Sequence, residues 1–456
     1  MTVGKQAQGR ASAALIRAAA PTPPAISSAE GNLDSWRSLP LSEICDLTTE
    51  QIQPAEALSV RYVGLEHLDS GDPTLTRWGS SQDVRSAKTR FRGGDVLYGK
   101  LRPYLDKAVA VPFVGICSTD ILVLRPRSGI VSPNFLAAAL HTKEFVDHAV
   151  STSSGVHHPR TSWGALKDHP LLVPEICEQR AIAKTLQAVL RAKAACEQAI
   201  AATRKLKESL LHHLFTYGPV PPHDAAQVQV EKSEEGVFPR HWQRASLGDL
   251  CRTRDGAIQT GPFGSQLHKA DYVDDGIPVL NPTHLLGNRI NHEDVPRITN
   301  SKAVELARHR LRSGDILFAR RGQIGRHGFV GRHEHGWLCG TGCFLVRVNH
   351  PDIANAYLPW YLSRRHVVVW LEAHAAGAIM PNLNSTTLAH LPIWFPSLRD
   401  QLEISEHLQM IERKLATEGA RRAALENLFK SLLHHLMMGK IRVNHVVDQL
   451  VSEGSG

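Results

Sequence analysis

At 456 residues, 42% hydrophobic and 21% charged, the chain is too long for one hydrophobic core and has the composition of an ordinary soluble globular protein. No run of about 18 apolar residues occurs, so no membrane-spanning helix is expected. A formal charge of +8 suits a polyanionic partner without requiring one.

Residues 1–35, rich in Ala, Pro and Ser and without a long apolar stretch, predict a disordered N-terminal tail. Trp36-Arg-Ser-Leu-Pro-Leu41-Ser-Glu-Ile44-Cys45 then reads as a first strand, opening a region of short apolar runs and turns over 36–174. Within it Gly94-Asp95-Val96-Leu97 reads as a turn leading into a buried strand. From Arg77 to Lys107 eight Lys/Arg stand against three acids, a balance that can hold phosphates.

Pro174, with Glu175 and Glu178 behind it, predicts the start of a long helix over 175–217. Ile182, Leu186, Val189, Lys193, Cys196, Ile200, Thr203, Lys207, Leu210 and Leu214 alternate four and three spacing and mark a heptad-like seam, broken at Lys193, Thr203 and Lys207. Such a helix spans roughly 60 Å at ~1.5 Å per residue. Residues 218–241 predict a Pro-rich linker.

The chain then repeats itself. Trp242 through Cys251 restates Trp36 through Cys45, and Gly314-Asp315-Ile316-Leu317 restates the turn and strand at Gly94. From Arg289 to Arg332 ten Lys/Arg face four acids. Ser209-Leu-Leu-His-His-Leu214 returns as Ser431-Leu-Leu-His-His-Leu436, 222 positions on, and Pro174, Gln179, Ile182 and Leu186 return as Pro396, Gln401, Ile404 and Leu408. The second mixed region is therefore set at 242–396 and a second long helix at 397–438. Its seam is Leu408, Ile411, Leu415, Leu425, Leu432 and Leu436, with breaks at Glu418 and Arg422. If the two helices run antiparallel, a basic break on one can pair with an acidic break on the other. A short C-terminal tail, 439–456, follows. The fold class expected is α+β: two similar mixed α/β domains separated by two long, antiparallel, coiled-coil-like helices.

Chemistry is hard to find. There is no GxxxxGK[ST] loop, HExxH, GxSxG or Rossmann fingerprint, so no catalytic residue and no cofactor are expected. Seven cysteines without a CxxC read as buried thiols in a reducing compartment, and Cys339 with Cys343 lacks the partners for a tetrahedral site. The His212-His213 and His434-His435 pairs lie late in helices, where they favour the dipole. No metal is expected.

Several segments together resemble the specificity subunits of type I restriction-modification systems. They are Gly94-Asp-Val-Leu-Tyr-Gly-Lys-Leu-Arg-Pro-Tyr104, Asp255-Gly256 through Gly261-Pro-Phe-Gly-Ser265, Gly314-Asp-Ile-Leu-Phe-Ala-Arg320, Pro381-Asn-Leu-Asn384, and the Pro-x3-Glu/Asp-Gln starts of both helices. The resemblance covers about residues 36 to 440 and departs at Pro159-Arg-Thr-Ser162, where the second half has Pro381-Asn-Leu-Asn384. It implies a cytoplasmic, non-catalytic subunit of a restriction endonuclease/adenine methyltransferase complex. Two target-recognition domains would each read half of a bipartite double-stranded DNA site, and the helices would fix the spacing. Two methyltransferase subunits would dock on it, together with restriction/translocase subunits that carry the cleavage. On this reading Lys100, Arg102, Arg320, Arg321, Gln323 and Arg326 face DNA. Two other classes remain: a coiled-coil adaptor binding only protein, and a nuclease or methyltransferase with degenerate motifs.

Overall fold

The computed structural model describes residues 36–54, 60–253, 255–375 and 383–443. The expected tail 1–35, residues 444–456 of the C-terminal tail, and Pro381 and Asn382 of the Pro-Asn-Leu-Asn segment lie outside the described residues. The chain is a mixed α/β protein of two compact units, one holding residues up to Ala195 and from Arg421 onward, the other Cys196–Ala420. The long helices, α1 (Ile176–Tyr217) and α2 (Leu398–Met437), each begin in one unit and end in the other.

In the first unit a four-stranded sheet has the order β1 (Cys45–Thr48), β5 (Ile121–Pro126), β2 (Val96–Gly99), β3 (Ala108–Ala110). Every residue of β2 is buried, which is why its sequence is an unbroken apolar run rather than an alternating one. Gly94 makes the turn before it at φ +91°, a left-handed conformation that costs glycine nothing. β4 (Gly115–Cys117) belongs to a second sheet, where it runs parallel to Arg61–Val63. Strand Arg37–Pro40 pairs with Pro170–Val173, which leads straight into α1. One core joins Trp36, Leu41, Ile44, Tyr98 and Phe145 to Ile182, Leu186 and Leu190 of α1 and to Phe429, Leu433 and Leu436 of α2.

The second unit also holds a four-stranded sheet. It runs β6 (Ala257–Thr260), β10 (Cys343–Arg347), β7 (Ile316–Ala319), β8 (His327–Phe329), and β7 is again wholly buried. β9 (Leu338–Cys339) runs parallel to Ile277–Leu280. Gln243–Ser246 pairs with Pro392–Phe395, which leads into α2. The core joins Trp242, Leu247, Phe318 and Phe344 to Leu214 and Phe215 of α1 and to Ile404 and Leu408 of α2. In each unit, then, the start of one long helix and the end of the other share a core. Burial pushes the thiols of Cys45, Cys117, Cys251 and Cys343 up to about 12, as expected of inert core cysteines.

Three expectations are corrected. Segment 218–241 is more than a linker: Val230–Ser233 and Gly236–Pro239 form a hairpin. Its Phe238 is fully buried and stacks on Trp394 at 4.9 Å and 6°. The seam also differs from a plain heptad ladder. Leu186, Cys196, Leu214, Leu408, Ile411 and Leu436 are buried, but Val189, Ile200, Leu210, Leu415, Leu425 and Leu432 are only partly so, while Leu190, off that seam, is buried. The ends of each helix meet a domain as well as a helix, which widens the buried face beyond the a/d stripe. Finally, the acidic partner of a basic seam break is not Glu418: Lys207 pairs with Glu412. In the other unit Lys193 and Lys430 both lower the Glu426 carboxyl, the Lys430 hydrogen bond first.

Candidate nucleic-acid interface

The two turns that enter the buried strands are built alike. The Asp95 carboxylate accepts from Arg92 N at 2.8 Å and from Arg125 Nε and Nη2, both at 2.9 Å. Asp315 accepts from Arg312 N at 2.7 Å and from Arg347 Nε and Nη2 at 2.8 and 2.6 Å. A bidentate guanidinium on a carboxylate fixes both the turn and the strand that carries the arginine. The residues that emerge from the far ends of β2 and β7 therefore leave a rigid base.

Those residues are Lys100 and Arg320. Lys100 N donates to Asp120 O at 2.9 Å and its carbonyl accepts from Thr161 N at 3.0 Å. Arg320 N donates to Gly342 O at 2.9 Å and its carbonyl accepts from Leu383 N at 3.1 Å. Each backbone is thus tied on both sides to neighbouring loops, leaving a partly exposed cationic side chain. Rigid backbone under a basic side chain is what positional contact to a phosphate or base edge requires.

In the first unit the chain continues through Arg102, held at φ +52° by its N–H on Pro159 O at 2.7 Å, and through Asp106 at φ +48°. The turn Pro103–Leu105 between them presents Tyr104, 54% exposed. His141, whose ring has no exposure, pins Asp106: Nδ1 lies 2.6 Å from its carboxylate and Nε2 2.8 Å from Ala108 O. Arg160 Nε donates to Asp120 Oδ1 at 3.0 Å, locking the adjoining loop. Arg102 itself is half-buried, with Nη2 at 3.5 Å from His158 Nδ1, so its guanidinium is less free than the sequence alone suggests.

In the second unit Arg320, Arg321, Gln323 and Arg326 fall on one turn between β7 and β8. Gly322 (φ +83°) and Gly325 (φ +81°) bend it and buried Ile324 anchors it. Arg321 and Gln323 are exposed. Arg326 Nη2 donates to Gln323 Oε1 at 2.8 Å and Nη1 to Pro282 O at 3.4 Å. With one lone pair of Oε1 taken by Arg326, Gln323 still has a second lone pair and its amide donor to offer an adenine edge, and Arg326 steadies the orientation of that amide. Beside this turn lies the Gly340-Thr341-Gly342 loop, against which Gly261 packs so closely that a Cβ there would meet Gly340 O at 1.9 Å. That contact presents the neighbouring Phe263, 52% exposed. Glycine thus serves close backbone approach here, and the aromatic beside it was not among the residues expected to face DNA.

No helix among the described residues is long and apolar enough to cross a membrane. Residues 239–427 match the family model described as the type I restriction modification DNA specificity domain. The chain is 23% identical over 426 residues to the putative type I restriction enzyme MjaX specificity subunit of Methanocaldococcus jannaschii, covering 90% of this chain and 94% of that protein. Over 188 residues, 40% of this chain and 42% of the other, it is 24% identical to the type I restriction enzyme EcoDI specificity subunit of Escherichia coli. Among solved structures it resembles in fold the S subunit of a type I restriction-modification system from M. genitalium. The TM-score is 0.58 at 15% identity, over 88% of this chain and 96% of that one.

Proposed function

We propose that this chain, which belongs to the specificity subunits of type I restriction-modification systems, reads a bipartite double-stranded DNA target, one block with each unit. The observation that carries this is the matched placement of Lys100 and Arg320, each backbone-tied at the end of a wholly buried strand behind the same Asp–Arg clamp. Two similar sites on one chain suit two half-targets. Arg321, Gln323 and Arg326 serve the second block, while Lys100 and Arg102 serve the first. Some hold phosphates and others read bases, an Arg matching both acceptors of a guanine edge.

The chain carries no catalysis of its own in this reading. It acts in the cytoplasm, away from any membrane, as the docking frame for two methyltransferase subunits and for restriction/translocase subunits. Within each unit a segment of α1 and a segment of α2 share a core, the start of one helix beside the end of the other. Helix length then sets the unspecified gap between blocks.

The test is co-expression with a cognate methyltransferase, followed by genome-wide mapping of methylated sites. Replacing residues 36–174 with the matching domain of a relative should change one block and leave the other block and the gap unaltered. A swap that changes both blocks, or neither, overturns the modular reading.

A further inference from the structure

We propose that His292, His333 and Glu334 form a binding site for a divalent transition ion, zinc by donor chemistry, that clips the loop before β9 onto the loop after strand Arg289–Ile290 in the second unit. The ligand atoms of the three side chains all lie within 4.8 Å of one another. His292 Nε2 is 2.6 Å from Glu334 Oε1, and His333 Nδ1 is 3.7 Å from the same oxygen. The two imidazoles stack at 4.8 Å and 26°, and both meet the Trp337 ring at 5.3 Å. Two nitrogens and one carboxylate oxygen are a borderline donor set. It suits zinc and its first-row neighbours, whereas calcium and magnesium prefer oxygen alone.

Two features distinguish this group from a chance surface cluster. Glu334 is 8% exposed at its side chain, yet its ion-pair partners among the described residues are only these two histidines, which carry charge only when protonated. A bound cation answers that buried charge directly. The other carboxylate oxygen, Oε2, accepts from Gly331 N at 2.7 Å, the kind of outer hydrogen bond that orients a metal ligand.

The first unit offers a contrast at the same point of its plan. The loop entering β4 is closed there by Phe113, which packs edge-on to Trp78 at 5.2 Å and beside Phe91, with Arg61 over both the Trp78 and Phe113 rings. The loop entering β9 has one aromatic, Trp337, and the histidine–glutamate group around it. A metal cross-link would supply there what aromatic packing supplies in the first unit.

The test uses the full-length, untagged chain, stripped with EDTA and dialysed, then titrated with zinc against a chromophoric chelator. Because the chain holds 25 histidines, variants define the site. His292 and His333 are 46% and 70% exposed, so His292→Ala and His333→Ala leave the fold intact, which circular dichroism checks. One tight equivalent should bind, weakened at least ~10-fold by either variant and retained in His335→Ala. Zinc should raise the Tm of the parent but not that of the double variant, and cobalt should bind without thiolate charge-transfer bands. Equal zinc affinity in the parent and the H292A/H333A chain would overturn the proposal, as would an equal loss in H335A.

Discussion

Gln179 and Gln401, 222 positions apart, make the same hydrogen bonds in their own units. Gln179 Oε1 accepts from Ser132 N and its Nε2 donates to Ile130 O and Pro174 O, all at 2.8 Å. Gln401 Oε1 accepts from Ala354 N and its Nε2 donates to Asp352 O and Pro396 O, again all at 2.8 Å. Both side chains are fully buried. Each therefore bolts the first turn of a long helix to its domain through one amide group.

Removing either bolt strands a backbone N–H and two carbonyls. Gln179→Ala and Gln401→Ala should each cost about 2–4 kcal/mol, and Glu at either position should fare no better because a carboxylate has nothing to donate to the two carbonyls. Urea denaturation reads this out. The sites share no partner, so the double variant should lose close to the sum.

The two Asp–Arg clamps should not be equal. Arg347 is 15% exposed at its side chain and Asp315 2%, against 36% for Arg125 and 3% for Asp95. Arg347→Ala leaves a carboxylate charged and dry, at a cost of about 3–5 kcal/mol, whereas water can reach Asp95 after Arg125→Ala. Denaturation midpoints of the two variants should rank in that order, and an Arg347→Ala chain should also lose affinity for DNA that contains only the second block.

Acid should weaken the second unit. His366 is held by burial, and then by the Arg364 charge, down to about 3; Glu235 pulls the other way. Its ring packs edge-on to Phe238 and Tyr361. A histidine in the unfolded chain protonates near 6.5, so between the two values the unfolded state binds a proton that the folded state refuses. The stabilisation is complete above ~6.5 and falls as pH drops, by roughly 2 kcal/mol at pH 5. Buried His327, lowered by desolvation, acts in the same direction. Thermal melts at pH 7 and pH 5 should show a smaller drop in His366→Gln than in the parent.

Spacing should follow the helices. Matched insertions of four helical residues, after Ala195 in α1 and after Ala420 in α2, leave the contacts inside each unit undisturbed. They lengthen each helix by ~6 Å. At ~3.4 Å per base pair the unspecified gap should grow by one or two base pairs while both blocks stay the same. Methylation mapping reads the result; altered blocks would favour a single composite recognition surface.

The two long helices were legible in the amino-acid sequence because helical periodicity and helix-start signals are local, carried by Ile182 and Ile404 or by Pro174 and Pro396 wherever the chain goes. The wholly buried strands at Val96 and Ile316 were legible for the same reason: an unbroken apolar run between a turn glycine and a basic residue has few other readings. What Gln179 and Gln401 do was not, since the repeat marked them but their carbonyl partners Ile130 and Asp352 lie 49 positions away. Nor could composition separate a Pro-rich linker from a hairpin whose Phe238 finds Trp394 across the domain. The engagement of Gln323 by Arg326, and the meeting of His292 with Glu334 across 42 positions, depend on where turns bring side chains in space. Burial, pairing and freedom of a side chain are set by non-local neighbours, and only the packed tertiary structure decides which neighbours those are.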